Sequence, residues 1–258
     1  MSWNPNQYLK FSDHRQRPAV ELLARVGCPQ AQRIVDLGCG AGNVTELLRQ
    51  RWPTAGVTGT DSDAAMLARA QNDYPHGEWQ QASVESWQAE PDVRPDLIFS
   101  NAALHWLEQH PALFPRLLAS LAPGGTLAVQ MPANFDAPSH AELRALATEE
   151  PWQQYLGKVR MGAVLPASEY YRLLSGIAGL KLQRLDIWQT TYLQALSGED
   201  AVVAWMRGTT LLPYLAALPE AQHEAFIDAY RQRIANAYPC QDGSTLFPFT
   251  RLFLIAET

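Results

Sequence analysis

The sequence lacks long apolar runs and contains few cysteines. A membrane-spanning helix needs about 18 or more consecutive apolar residues, and no such run occurs, so no membrane span is expected. Cys28, Cys39 and Cys240 have the spacing neither of a metal site nor of a disulfide framework. The first residues also lack the basic-then-apolar pattern of a secretion signal. These absences predict a cytoplasmic protein that needs no metal.

An excess of basic residues is missing as well. The 258-residue chain has 20 Lys and Arg against 26 Asp and Glu, which gives a net charge of −6. Nucleic-acid-binding proteins usually present a basic face, so a nucleic-acid partner is not expected. Apolar residues make up 47% of the chain, which is enough for the core of one α/β domain with an elaboration.

A glycine-rich turn is the most informative feature that the sequence does contain. An apolar run typical of a buried strand leads directly into Gly38, Gly40 and Gly42. Glycine lets the backbone approach a ligand closely, and the helix predicted over 43–51 adds unpaired N–H groups. Asp61 ends the next predicted strand, where a carboxylate can accept both hydroxyls of a ribose. The combination predicts a cofactor that contains a nucleoside.

The spacing of the glycines separates two classes of nucleoside cofactor. Nicotinamide dinucleotides are bound by a G-x-G-x-x-G loop, whereas this chain reads G-x-G-x-G after Asp36 and Leu37. That form resembles the first motif of the class I S-adenosylmethionine-dependent methyltransferases. Further matches to this family follow in order at Asp61-Ser62, Ala82-Ser83, residues 95–101 and residues 121–131. The resemblance implies that the cofactor is S-adenosylmethionine.

Strands and helices alternate through the first half of the chain. Strands are predicted at 33–37, 56–60, 78–81, 96–100 and 125–131, with helices at 43–51, 63–73 and 111–120. Such alternation makes a parallel sheet that is covered on both faces and binds ligands at the carboxyl ends of its strands. Together with the family resemblance, it predicts an α/β, Rossmann-like, doubly wound and mostly parallel seven-stranded sheet. An antiparallel final strand and a helical cap complete the expected fold.

The regular alternation of strands and helices ends after Pro132, and a boundary between parts of the fold is expected there. Helices are predicted at 139–150 and 168–178, and long strands near 181–193 and 246–256. The predicted divisions are a lead-in with one helix over the cofactor site at 1–31, a cofactor-binding core at 32–135, helices with the sixth strand and part of the substrate cap at 136–196, a helical cap at 197–243 and a closing strand at 244–258.

Segments outside the cofactor motifs resemble one group of these enzymes, the trans-aconitate 2-methyltransferases. The matching segments include Trp3-Asn4-Pro5, residues 17–23, 127–132, 186–192 and 251–253. This resemblance implies that one carboxylate of trans-aconitate is esterified by the methyl group of the cofactor. Leu212 stands where the group often has an arginine, so other small polycarboxylic acids remain open as substrates.

The cofactor contacts are predicted from the loop chemistry and from the resemblance. Many relatives have an aspartate where this chain has Ser83, so part of the adenine contact is expected to move to the backbone near Val84. Arg17 is a candidate for the carboxylate of the cofactor. The full set of cofactor candidates is Asp36, Gly38, Cys39, Gly40, Gly42, Asp61, Ser62, Ser83, Val84, Asn101 and Arg17.

The substrate contacts follow from the charge of the acid. A multiply charged anion in an acidic protein needs a few focused cations, preferably arginines. Arg160, Arg207 and Arg251 lie in the predicted cap and closing strand, and Tyr8, His105, Trp106, Trp188 and Tyr192 complete the candidates. A carboxylate has a pKa of about 4 and is already ionised at neutral pH, so no general base is required. Catalysis then consists of alignment and the exclusion of water.

Two other functions stay open. A carboxyl methyltransferase that acts on a malonyl carrier protein shares the pattern Asn-x-x-Leu-x-Trp, which here runs from Asn101 to Trp106. Such an enzyme would need a basic patch for its acidic partner, and the sequence shows none. A cofactor-binding partner subunit without turnover is the second alternative, and the intact glycine turn together with Asp61 argues against it.

Overall fold

A computed structural model describes residues 16–198 and 200–258, and Tyr8 therefore lies outside the described residues. The chain splits into two compact units. Of the described residues, the first unit contains 16–131, 164–189 and 251–258. The second unit contains 132–163 and 190–250. The predicted domain divisions, which differ in detail from these units, stay predictions.

The elements alternate as the sequence predicts, with ends that differ by a few residues. The first half contains α1 (Arg17–Arg25), β1 (Arg33–Leu37), α2 (Asn43–Arg51), β2 (Gly56–Asp61), α3 (Ala64–Asp73), β3 (Glu78–Gln81), β4 (Leu97–Asn101), a 3-10 turn (Leu104–Trp106), α4 (His110–Ala119) and β5 (Thr126–Pro132). The second half contains α5 (Pro138–Ala147), α6 (Gln153–Leu156), α7 (Ala167–Ser175), β6 (Arg184–Ser197), α8 (Ala201–Arg207), α9 (Leu212–Ala217), a 3-10 turn (Glu220–Gln222), α10 (His223–Ile234), β7 (Cys240–Gln241) and β8 (Ser244–Glu257).

The strands form one sheet in the order β3-β2-β1-β4-β5-β8-β6, with β7 paired to β8. The pairs β1–β2, β1–β4, β2–β3 and β4–β5 are all parallel, so the carboxyl ends of β1 to β5 lie at one edge of the sheet. Ala133 N donates to Thr250 O and Thr258 N donates to Gly125 O. These two hydrogen bonds place β8 antiparallel beside β5. The predicted Rossmann-like, mostly parallel sheet with an antiparallel last strand is confirmed.

Local chemistry explains several element boundaries. The Asp63 carboxylate accepts hydrogen bonds from the N–H groups of Ala65 and Met66 and so starts α3. The short strand β7 was not predicted, although Asp242-Gly243 beside it is a strong hairpin signal. Both turn residues have the positive φ that such a turn requires, 49° and 76°.

The two units have separate apolar clusters. Buried residues of the parallel strands, such as Ile34, Phe99 and Leu127, line the first. The second is rich in aromatic side chains and includes Met206, Tyr214, Phe226, Tyr230, Tyr238 and Phe247. Both clusters are large enough to stabilise their units, because each fully buried large side chain contributes roughly 1.5–3 kcal/mol.

Candidate functional site

The three glycines after β1 form a left-handed turn with one open position. Gly38, Gly40 and Gly42 have φ values of 75°, 55° and 83°, which side chains rarely adopt. A Cβ at Gly38 would lie 2.2 Å from the Ala103 Cβ, and one at Gly42 would lie 2.4 Å from Trp79. A Cβ at Gly40 would meet no atom of the described residues within 4 Å. Ala103 and Trp79 thus leave no room for a side chain at Gly38 or Gly42, whereas the space next to Gly40 is open within the described residues.

Asp61 ties the turn to the end of β2. One carboxylate oxygen accepts a hydrogen bond from Gly40 N at 2.8 Å, and the other accepts from Asp63 N at 2.9 Å. A carboxylate offers about four acceptor positions, so both oxygens can still accept from a ligand. Ser62 beside it is exposed. This geometry suits a ribose that lies beside Gly40.

Asp36 lies beneath the turn and is almost completely buried. The Thr45 hydroxyl of α2 donates to its carboxylate at 2.7 Å. Burial raises the pKa of Asp36 to about 7, the negative charge of Asp61 raises it too, and the hydrogen bond from Thr45 opposes this rise. Cys39 is also buried, and burial raises the pKa of its thiol above the ordinary value. The thiol is therefore a packed side chain and not a nucleophile.

The loop after β3 holds the predicted adenine contacts. The Ser83 hydroxyl accepts a hydrogen bond from Glu85 N at 3.2 Å, so it is used within its own turn. The Arg116 guanidinium of α4 donates to Val84 O at 2.8 Å and also to Glu85 O. Arg116 therefore fixes this loop, a role that no motif in the sequence indicates.

Asn101 and Gln130 lie side by side at the carboxyl ends of β4 and β5. They are paired in the parallel register of the two strands. Neither the Oδ1 atom of Asn101 nor either side-chain polar atom of Gln130 has a hydrogen-bond partner among the described residues. Gln130 was not predicted as a site residue, although a glutamine inside the apolar run 127–131 is a signal that could have revealed it.

The remaining candidates of the first unit differ in their surroundings. Arg17 donates to Glu21 one helical turn away at 2.8 Å. His105 is buried beside Trp106, whose side chain is half exposed. Trp188 stacks on Phe253 with ring centres 4.9 Å apart, and the Arg25 guanidinium carbon lies 4.2 Å from the centre of the Trp188 ring. Packing therefore accounts for Trp188 without a ligand. Arg251 is buried, with only 7% of its surface exposed.

The second unit holds Arg160, Tyr192 and Arg207. Arg160 is exposed on the segment after α6, and Tyr192 is buried in β6. Arg207 ends α8 and forms an ion pair with Glu224 of α10 at 3.0 Å. Leu212, which stands where an arginine was expected, is exposed at the start of α9. The substrate roles of these residues stay predictions.

A cavity of about 740 Å³ lies within the second unit. Asp136 and Asp242 line it, and no Lys or Arg stands among its lining residues. Two carboxylates line this cavity, and Arg144, the cation 3.7 Å from one of them, is already paired with Asp136, so the cavity does not favour a polycarboxylate.

Two features are absent from residues 16–198 and 200–258. No helix in these ranges is long and apolar enough to cross a bilayer. No group of three or more His, Cys, Asp or Glu side chains within them is arranged to hold a metal ion.

Comparison with known proteins agrees with this geometry. A family model described as a methyltransferase domain matches residues 11–183. An S-adenosylmethionine-dependent methyltransferase from Mesorhizobium loti has a similar fold, with a TM-score of 0.54, 20% identity, and coverage of 97% of this chain and 100% of its own. The sheet, the glycine turn and these matches define a methyltransferase of the Rossmann-like class.

Two curated relatives narrow the class. The trans-aconitate 2-methyltransferase of Azoarcus sp. (strain BH72) is 49% identical over 257 residues, which cover 99% of this chain and 98% of that protein. The protein of the same name from Yersinia pestis (strain Pestoides F) is 47% identical over 259 residues, with 99% and 98% coverage. The chain belongs to the trans-aconitate 2-methyltransferase family, as the outer segments of its sequence predict.

Proposed function

We propose that this chain binds S-adenosylmethionine at the glycine turn and esterifies one carboxylate of a small polycarboxylic acid. Trans-aconitate, the acid in the names of its relatives, is the substrate that we infer. The observation that carries the proposal is the open position above Gly40 beside the Asp61 carboxylate. The cytoplasmic location stays a prediction from the sequence.

The residues around the turn fit this cofactor. The Asp61 oxygens keep free acceptor positions for the two ribose hydroxyls. The space above Gly40 lets a ligand approach the backbone within van der Waals contact. No side chain caps the start of α2, which leaves N–H groups of its first turn for the charged or polar parts of the ligand. Arg116 holds the loop of Ser83 and Val84, against which an adenine can pack.

The chemistry needs alignment more than proton transfer. When bound, S-adenosylmethionine supplies a methyl carbon whose bond to sulfur breaks, with both electrons kept by sulfur, as an acceptor oxygen attacks from the opposite side. A carboxylate with a pKa of about 4 needs no base at neutral pH. Well-oriented reactants gain on the order of 7–11 kcal/mol, so the main task of the protein is to hold the two partners in line. Arg251 is our principal candidate for binding the charge of the acid.

The test is an assay with a labelled methyl donor against a panel of small organic acids. We expect transfer to trans-aconitate, a label that is released by mild base as expected for an ester, and turnover that stays flat between about pH 6.5 and 8.5, because the acceptor is ionised throughout. Transfer to a malonyl carrier protein and to no free acid would contradict the proposed substrate. Turnover that rises through this range in both the wild type and Asp36→Asn would indicate an acceptor that must lose a proton, because the variant removes the titration of Asp36.

Asp61→Ala should lower the affinity for S-adenosylhomocysteine at least about tenfold, since one lost hydrogen bond to a charged group is worth roughly 1.5–3 kcal/mol. Calorimetry measures this directly. Asp63→Ala is the matched control, because it removes a neighbouring carboxylate that caps α3. The control should cost about 1 kcal/mol of stability and leave the affinity unchanged. If Asp61→Ala and Asp63→Ala bind S-adenosylhomocysteine equally well, Asp61 does not contact the cofactor.

A further inference from the structure

The Gln130 side chain is buried without hydrogen bonds. Only 1% of its surface is exposed, and neither its Nε2 nor its Oε1 has a partner among the described residues. Buried amides in native proteins are nearly always hydrogen-bonded, because an unpaired one loses its water without compensation. A group that persists in this state at a sheet edge where ligands bind needs an explanation.

The neighbour of Gln130 has the same property. Asn101 is its register partner on β4, and adjacent strands lie about 4.8 Å apart, so the two side chains leave the same face of the sheet. Oδ1 of Asn101 is also buried without a partner among the described residues. Because a half turn of the terminal amide exchanges its oxygen and nitrogen, each side chain can present a donor at this point. Two amides thus offer N–H groups at one point.

Arg251 shares this face. The hydrogen bonds Ala133 N to Thr250 O and Thr258 N to Gly125 O fix the antiparallel register of β5 and β8. They place Gln130 opposite Phe253. Arg251, two residues from Phe253, therefore lies on the same face, one step closer to the carboxyl end of β5. A buried guanidinium and two amides thus meet at this part of the edge.

The position of this group relative to the glycine turn indicates its ligand. The turn and Asp61 follow β1 and β2, whereas Asn101 and Gln130 end β4 and β5, which are the next strands across the sheet. A cofactor whose ribose lies beside Asp61 would reach toward β4, and an acceptor aligned with its methyl group would lie over β4 and β5.

We propose that the Gln130 amide, together with Asn101, holds the carboxylate that is methylated. Arg251 binds the other carboxylates of the acid, which are not methylated. This assignment rests on the proposed function. An amide is neutral, so it orients the attacking carboxylate by hydrogen bonding and leaves its negative charge available for attack. A guanidinium binds a carboxylate more strongly through two parallel hydrogen bonds and is suited to the groups that only anchor the acid.

The test compares Gln130→Met with Thr126→Val. Methionine keeps the length of the side chain and removes its hydrogen-bonding atoms. Thr126 is buried on the same face of β5 but at its amino end, and it is the matched control. We expect Gln130→Met to raise the KM for the acid about 10- to 100-fold, as for a lost hydrogen bond to a charged group, and to leave the affinity for S-adenosylhomocysteine within about twofold. Thr126→Val should leave both unchanged.

A stability measurement separates this role from a structural one. Because Gln130 makes no hydrogen bonds in the described residues, Gln130→Met should not lower Tm, whereas loss of a structural residue would. Gln130→Glu, which adds a negative charge beside the acid, should raise the KM further than Gln130→Met does. An unchanged KM in both variants would overturn the assignment. A wild-type protein that binds the cofactor but methylates no acid would instead overturn the proposed function, and the assignment with it.

Discussion

The two units of the molecule differ in the surroundings of their buried polar groups. In the first, the left-handed glycine turn, the buried carboxylate of Asp36 and the neighbouring amides of Asn101 and Gln130 lie at one edge of the sheet. The second has an aromatic cluster in which two tyrosines are hydrogen-bonded to the same residue: Tyr230 donates to Ser139 O at 2.7 Å, and Tyr238 accepts from Ser139 N at 3.1 Å. Buried amide oxygens without a partner among the described residues also occur in the second unit, at Asn134, Gln194 and Gln222. The glycine turn and the buried Asp36 are therefore the features that lead us to propose the edge of the first unit as the binding site.

The largest effect is expected at the glycine turn. Gly38→Ala adds a Cβ 2.2 Å from Ala103 at a φ of 75°, so strain and overlap act together. We expect a loss of at least about 3 kcal/mol, seen as a Tm lower by about 6–12 °C. Gly40→Ala has the strain without the overlap. It should cost about 1 kcal/mol but should reduce cofactor affinity tenfold or more, because its methyl group occupies the proposed ligand space.

Gly124→Ala is the control for this pair. Its φ is 75°, and its Cβ would also meet nothing within 4 Å among the described residues, but it lies at the amino end of β5, away from the turn. It should match Gly40→Ala in stability and the wild type in cofactor affinity. If Gly40→Ala and Gly124→Ala bind the cofactor equally well, the space above Gly40 is not the binding site.

The sheet and the turn were predictable because their signals are local. The spacing of Gly38, Gly40 and Gly42 indicates a backbone conformation that other residues rarely adopt, and the alternation of apolar strands with helices indicates a mostly parallel sheet. Asp61 was predictable as a site residue because it ends the next predicted strand. These constraints act over about thirty residues, the length of one βαβ unit, and are visible in the sequence alone.

The residues that sequence reasoning missed act across long separations. Trp79 packs beneath Gly42 and Gly59, and Arg116 holds a loop about thirty residues earlier in the chain. Neither role has a local pattern. The ion pair of Arg207 with Glu224 is another example, because the position of Arg207 in the predicted cap does not indicate this partner. Side-chain partners of this kind depend on tertiary packing, which spacing does not determine.

An intermediate effect is expected at Asp36. Its pKa of about 7 lies above the ordinary 3.8, so between these values the folded protein binds more protons than the unfolded chain. The free energy of unfolding should therefore fall as the pH rises through this window, by up to about 1.4 kcal/mol per pH unit, and the full cost should be present above about pH 7. Asp36→Asn removes this slope, so its stability relative to the wild type should increase from pH 5 to pH 8. Urea unfolding at several pH values measures it.

Thr45→Val sharpens this prediction. The Thr45 hydroxyl stabilises the ionised form of Asp36 by donating to it, and its loss should raise the pKa further. The pH-dependent loss of stability should then extend to higher pH than in the wild type. A difference between wild type and Asp36→Asn that does not change with pH would mean that Asp36 does not titrate in this range.

The smallest effect is expected in the second unit at Arg207. Its ion pair with Glu224 is open to solvent, with 43% and 76% of the two side chains exposed, and such pairs contribute about 0–1 kcal/mol. Arg207→Ala should thus change the free energy of unfolding by less than about 1 kcal/mol, with a similar result for Glu224→Gln. The double variant should cost little more than either single variant, because all three remove the same pair. Because Arg207 already faces a carboxylate, we expect the KM for the acid to stay within about twofold. If that KM rises tenfold while the cofactor affinity is unchanged, Arg207 leaves Glu224 to bind the substrate. The second unit would then also contribute to substrate binding, which we assign to the first.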